Sequence, residues 1–241
     1  MTDAKAALYD RDWTRQPPAL TPDYLTSRTR SPTRPLVRIA SPGNDATGPI
    51  FNHEDLGPQD WDLLTNFAEP GGSAFGPRIF IHGRLLDENA RPIPHALVEC
   101  WQANSGGRYR HRNDTYLAPV DPNFGGCGRT LTDDTGRYEF MTIRPGAYPW
   151  PNRANDWRPM HIHFSVFGHA FGQRLITQMY FQGDPLIDLC PIVATIKDRS
   201  QIDRLVAPLD MQNARGMDYL AYRFDIVLRG SRQTMFENKL E

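Results

Sequence analysis

No apolar run in the 241-residue chain approaches the ~18–20 residues that a bilayer span requires. The first residues, MTDAKAALYDRDWTRQ, are polar and lack the apolar stretch of a secretory signal, so the cytoplasm is the expected compartment. Cysteine is scarce: Cys100, Cys127 and Cys190 lie far apart, are odd in number and form no CxxC pair. That pattern argues against a disulfide framework and against a thiolate zinc site, and the three read as reduced, mostly buried thiols. An excess of either charge is also missing. The formal net charge is −1 with no long basic or acidic block, which disfavours nucleic acid or an anionic membrane as the main partner. Internal repeats and low-complexity tracts are absent.

What is abundant is punctuation. Gly 19 and Pro 21 together exceed average usage and point to many turns and few long helices. The hydrophobic fraction of 39% still allows a sizeable core, and the length suits one large domain or one domain plus an arm. Residues 1–75 are broken by proline and small polar residues, with only short apolar clusters. Such a segment buries little by itself, so it lies over a folded body or reaches a partner chain. Near its end, GPQDWDLLTNFAE predicts a short amphipathic helix, with Trp61, Leu64 and Phe67 at three-residue steps.

From residue 76 the pattern is strand and turn. RIFIHGRLLD, ALVECWQA, MHIHFSVFG, RLITQMYFQGD and YRFDIVLRG read as strands, and GRTLTDDTGRYEFMTI as two more, joined as a hairpin across Asp133–Gly136. DRSQIDRLVA is the best helix candidate in this part. Frequent short strands suggest an antiparallel sandwich or barrel. The reading adopted is mainly all-β: an antiparallel β-sandwich catalytic core over 76–241, an extended N-terminal arm over 1–75, and a few short helices.

Chemistry concentrates in NDWRPMHIHFSV, residues 155–166. Side chains at i and i+2 of a strand share a face, so His161 and His163 stand with Cα atoms about 6.6–7 Å apart. Ile162, Phe164 and Val166 take the opposite, apolar face. Two imidazoles so placed can converge on one metal ion; they can equally be a hydrogen-bonded pair on a sheet face. Tyr109 lies in a glycine-rich bend, NSGGRYRH, and Tyr148 between prolines in RPGAYPWPN. Each alone reads as packing. Together with the histidines they make a donor set that suits Fe(III), because phenolate is a hard anionic oxygen that ionises at neutral pH only beside a strong cation. Zinc more often takes thiolate, imidazole and carboxylate, and the two-histidine, one-carboxylate site of ferrous oxygenases needs an acidic partner that the sequence does not offer.

The segments ALVECWQAN, GRYRH, DPNFGGCGRTLTDDTGRYEFMTIRPGAYPW, NDWRPMHIHFSVFG and RLITQMYFQGDPLIDLCPI resemble the intradiol ring-cleaving dioxygenases. The likeness runs strongly over roughly 80–230 and continues into the arm through PPALTPDYLTSRTRSP. It implies non-haem Fe(III), one per chain, held by Tyr109, Tyr148, His161 and His163, with Tyr148 the phenolate that a bound catechol displaces. It implies that Arg158 stabilises developing negative charge, that Gln178 lines the site, and that Trp150 and Ile192 wall the ring. In the arm, Tyr24 and Arg30 match the pocket mouth, and Tyr24 helps to hold a substrate carboxylate. Trp101 is expected to pack behind the site. The implied reaction cleaves protocatechuate (3,4-dihydroxybenzoate) with dioxygen, and the implied partner is an alpha chain in an alpha–beta assembly. Three other readings stay open: a relative acting on catechol or hydroxyquinol, a non-catalytic sandwich subunit, and a zinc hydrolase using the histidine pair. The histidines at 53, 82, 95, 111 and 169 read as structural or surface residues, and the effect of Met160 on the pocket is left open.

Overall fold

A computed structural model of the chain describes residues 16–35, 55–167 and 174–235. The stretches 1–15 and 36–54 of the arm, with His53, lie outside the described residues, as does His169. Short strands dominate, as the turn-rich composition predicts. In chain order they are a one-turn helix α1 (Ser27–Arg30), β1 (Arg78–Leu86), β2 (Leu97–Trp101), β3 (Cys127–Leu131), β4 (Arg137–Ile143), β5 (Tyr148–Pro149), β6 (Trp157–Arg158), β7 (His161–Phe167), β8 (Arg174–Phe181), α2 (Arg199–Asp203), β9 (Val206–Ala207), β10 (Leu220–Arg223) and β11 (Ile226–Val227).

Two sheets share the work. In one, β4 pairs antiparallel along one edge of β1, while β10 and then β11 pair parallel along the other. The second sheet has the order β3-β2-β7-β8-β9, antiparallel except for its last pair. The sandwich is therefore mixed at its margins and antiparallel at its centre. Alternate residues of β1 (Ile79, Ile81, Leu85) and of β7 (Ile162, Phe164, Val166) are buried in one common core. Phe164 sits at its middle, with the rings of Phe224, Tyr138 and Phe140 at centroid distances of 5.4, 5.9 and 6.1 Å. Met160, just before β7, packs its side chain against this core.

Two local expectations change. The segment 57–69 is a run of turns rather than a helix. Asp62 accepts hydrogen bonds from the Leu64 N–H and the Thr65 hydroxyl, an alternative that competes with helical bonding. The backbone is also drawn into β4, with Leu63 N–H donating to the Met141 carbonyl and Met141 N–H to that of Trp61. Likewise, β3 and β4 do not form a hairpin. Their connection is tight, with Gly136 at φ 72° and Asp133 accepting from the Thr135 and Arg137 N–H groups. Yet Thr132 ties β3 to β2 through Ala96, and Gly136 ties β4 to β1 through Leu85, so the chain passes from one sheet to the other. Helix α2 forms where expected, its N-terminus capped by Asp198 accepting from the Ser200 N–H.

Removing the ring at the centre of the core tests this packing. Phe164→Ala should lower unfolding stability by about 3–5 kcal/mol in a urea titration; a loss below about 1 kcal/mol would mean that Phe164 does not join the sheets.

Candidate metal centre

The register of the second sheet builds the site in rows. Trp101, His163 and Gln178 lie side by side across β2, β7 and β8, and His161 lies beside Tyr180 on β8. These side chains share the face opposite Phe164. Trp101 stacks on His163, with ring centroids 4.8 Å apart and planes 7° from parallel. The expected supporting role of Trp101 is thus specific: it fixes the plane of one imidazole.

The two tyrosines come from segments locked to each other. Asn104 folds the bend by accepting from the Gly106 and Arg108 N–H groups. Its carbonyl accepts from Gly107 N–H and also from Gly146 N–H, just ahead of Tyr148. Gly107 has φ +81°, and a Cβ there would lie 2.4 Å from the Ala147 carbonyl oxygen, so only glycine allows this approach. Tyr109 N–H donates to Asp114, and the rings of Tyr109 and Tyr148 meet edge to face at 5.6 Å. Tyr148 stands on β5 directly opposite Arg158 on β6.

Four donor atoms gather as a result. The Tyr109 hydroxyl lies 3.1 Å from His163 Nε2 and 3.4 Å from His161 Nε2, and the Tyr148 hydroxyl lies 3.3 Å from His161 Nε2. Donors on an ion with bonds of about 2.0–2.1 Å stand about 2.9 Å apart at right angles and about 3.5 Å apart at 120°. The separations fall within that range, so the donor set fits one metal ion. His161 Nδ1 donates to the Pro159 carbonyl at 2.6 Å, which turns the lone pair of Nε2 toward the phenols. Burial, then Arg158, then His163 hold the His161 pKa well below the ordinary imidazole value, so the ring is neutral at neutral pH. Among the described residues no group of three or more His, Cys, Asp or Glu is placed to hold a metal ion.

The remaining candidates divide. Arg158 is 4% exposed and donates to the Gln178 carbonyl oxygen, and its guanidinium lies 5.8 Å from the Trp150 ring. The Tyr180 hydroxyl donates to the same Gln178 oxygen at 2.9 Å. Two donors on Oε1 leave the Gln178 amide N–H groups for other directions. Trp150 lines a cavity of about 880 Å³ together with Tyr109, Tyr148, His163 and Trp101, a size that accommodates a small organic ligand. Tyr24 rests against Trp150 at 5.3 Å and accepts a hydrogen bond from Arg30. Ile192 packs against a small cluster containing Tyr180, whose ring is 6.1 Å from His161. His82 pairs with Asp210 and His95 with Asp134, both away from the donors, whereas His111 lines the cavity.

Two residues that the sequence reading passed over belong here. Tyr180 shares the face of Gln178 by strand alternation, and that period could have found it. Asn152, 4% exposed, bonds to the arm 127 residues away, a pairing that no local signal carries.

Comparison with known proteins identifies the family. Residues 46–230 match the family model described as "Dioxygenase", and residues 9–41 match "Protocatechuate 3,4-dioxygenase beta subunit N terminal". The chain is 48% identical over 235 residues to the protocatechuate 3,4-dioxygenase beta chain of Burkholderia cepacia, covering 98% of this chain and 99% of that protein. It is 28% identical over 180 residues to the protocatechuate 3,4-dioxygenase alpha chain of Pseudomonas putida, covering 74% and 83% respectively. The crystal structure of hydroxyquinol 1,2-dioxygenase from Pseudomonas putida DLL-E4 shares the fold, with TM-score 0.53, 23% identity, and coverage of 86% of this chain and 71% of that one. The chain belongs to the intradiol ring-cleaving dioxygenase family.

Proposed function

We propose that this chain is the iron-bearing, catalytic chain of a protocatechuate 3,4-dioxygenase. In this reading it cleaves 3,4-dihydroxybenzoate between its two hydroxyl-bearing carbons, adds both atoms of dioxygen and yields 3-carboxy-cis,cis-muconate. It works beside an alpha chain, in keeping with its likeness to both chains of that enzyme. The observation that carries the reading is the approach of the Tyr109 hydroxyl to the Nε2 atoms of both histidines and of the Tyr148 hydroxyl to His161 Nε2, at 3.1–3.4 Å, inside a chain 48% identical to a beta chain.

Non-haem iron is the metal of the family, and Tyr109, Tyr148, His161 and His163 are the residues that would hold one ferric ion here. Bound there, ferric iron would supply positive charge that keeps the phenols ionised and would withdraw electron density from a catecholate ring. The residues do the rest. The Tyr148 phenolate oxygen would accept one of the substrate's hydroxyl protons. Arg158, fixed by Gln178 and buried beside Trp150, faces the ring with a charge that stabilises the negative charge building up there. Trp150 holds the ring flat, and Tyr24 meets the carboxylate at the mouth. His163, clamped by Trp101, and His161, clamped by Pro159, keep the donor set in position.

Substrate preference separates this reading from one with catechol or hydroxyquinol as substrate. With the purified alpha–beta protein, kcat/KM for protocatechuate should exceed that for catechol by more than tenfold, and equal values would overturn the subfamily assignment. A zinc hydrolase or an inert subunit would be indifferent to the next change. Tyr148→Phe should retain iron through the other three donors yet lower kcat by about 10²–10⁴-fold, the range for losing a positioned proton acceptor. It should also blunt the optical change on anaerobic addition of protocatechuate. Unchanged turnover would remove Tyr148 from the reaction.

A further inference from the structure

One buried side chain of the body, Asn152, bonds to the backbone of the arm segment that carries Tyr24. Asn152 lies in the loop between β5 and β6, the hairpin that carries Tyr148, Trp150 and Arg158. Its Oδ1 accepts from the Leu25 N–H at 2.7 Å, and its Nδ2 donates to the Asp23 carbonyl at 2.9 Å. These two bonds grip the backbone on either side of Tyr24. The same Nδ2 donates to the Asp156 carboxylate at 2.8 Å, and Trp150 N–H donates to the Asp156 carbonyl at 2.8 Å. A single amide thus uses its acceptor and both donors to join the arm to the hairpin. A further polar contact, Arg153 to Asp23, is more than half exposed on both sides, where an ion pair contributes little. Asn152 is 4% exposed, so its bonds have no water to compete with them.

We infer that Asn152 is a positioning residue for specificity: it holds Tyr24 against Trp150, where the hydroxyl meets the substrate's carboxylate, and thereby sets the preference for a carboxylated over an unsubstituted catechol. The inference rests on the proposed role of Tyr24. Its chemistry follows from the bonds. Aspartate would keep the acceptor for Leu25 but lose both donors and set a second carboxylate beside Asp156; alanine would lose all three bonds. In either case the arm loosens, while β5, β6 and the donor set keep their own backbone pairing.

The test uses the iron-loaded alpha–beta holoenzyme carrying Asn152→Ala, Asn152→Asp, Tyr24→Phe, and Asn152→Ala with Tyr24→Phe. Binding of protocatechuate and of catechol is titrated optically without oxygen, turnover is measured with oxygen, and hydrogen exchange is followed in the peptide containing Leu25. In Asn152→Ala the Leu25 peptide should exchange faster, and the Kd for protocatechuate should rise about tenfold, the scale of losing one or two buried hydrogen bonds. The Kd for catechol and the kcat for protocatechuate should stay within about twofold. Asn152→Asp should show the same split, and serves if the alanine variant does not assemble. The double variant should bind protocatechuate no more weakly than Tyr24→Phe alone. Equal losses for both substrates, or losses that multiply in the double variant, would overturn the inference and make Asn152 a purely structural part of the hairpin. If Tyr24→Phe alone leaves the preference intact, the proposed role of Tyr24 fails instead, and the inference falls with it.

Discussion

A strand shows its side chains alternately to two sides, and β7 uses both. Phe164, with Ile162 and Val166, joins the sheets through a buried aromatic cluster, while His161 and His163 stand on the other face. A shift of register by one residue would turn both imidazoles into the apolar core and the core side chains onto the donor face, so the packing that stabilises the sandwich also fixes which face the two imidazoles occupy. Every other element of the site is measured from that strand. Trp101 reaches it from β2, and Gln178 and Tyr180 from β8.

The phenols are brought to it by different means. Neither tyrosine sits on the main sheets. Tyr109 belongs to a bend folded around Asn104, and Tyr148 to a two-residue strand pressed against Gly107. Hydrogen bonds between loops, rather than apolar burial, set their positions. That division suits the proposed mechanism, in which Tyr148 gives way to substrate: the histidine pair rests on the core, and Tyr148 rests on a short hairpin. The same hairpin carries Arg158 and Trp150 and is tied to the arm by Asn152, so Tyr148, Trp150 and the arm form one connected unit.

How far the sequence could be read follows from the range of each interaction. The histidine pair, its apolar reverse face and the cap of α2 are local patterns, and they appear where residue spacing puts them. The failures are also local patterns, overridden from a distance. Trp61, Leu64 and Phe67 have helical spacing, but Asp62 offers a competing turn and Met141 draws the backbone into a sheet. Asp133–Gly136 has the composition of a hairpin tip, yet its flanking strands find partners in opposite sheets. The two tyrosines were legible only through family resemblance, because nothing in their spacing brings residues 109 and 148 to residues 161 and 163.

The central claim is that one ferric ion is held by both phenolates at once, together with both imidazoles. Resonance Raman spectroscopy of the purified protein, excited within its visible absorption, tests this most directly. The account predicts tyrosinate vibrations that shift on labelling with ring-deuterated tyrosine and resolve into two sets, of which Tyr109→Phe and Tyr148→Phe each remove a different one. An iron-loaded protein with no tyrosinate vibrations, or with a single set that survives both substitutions, would contradict it.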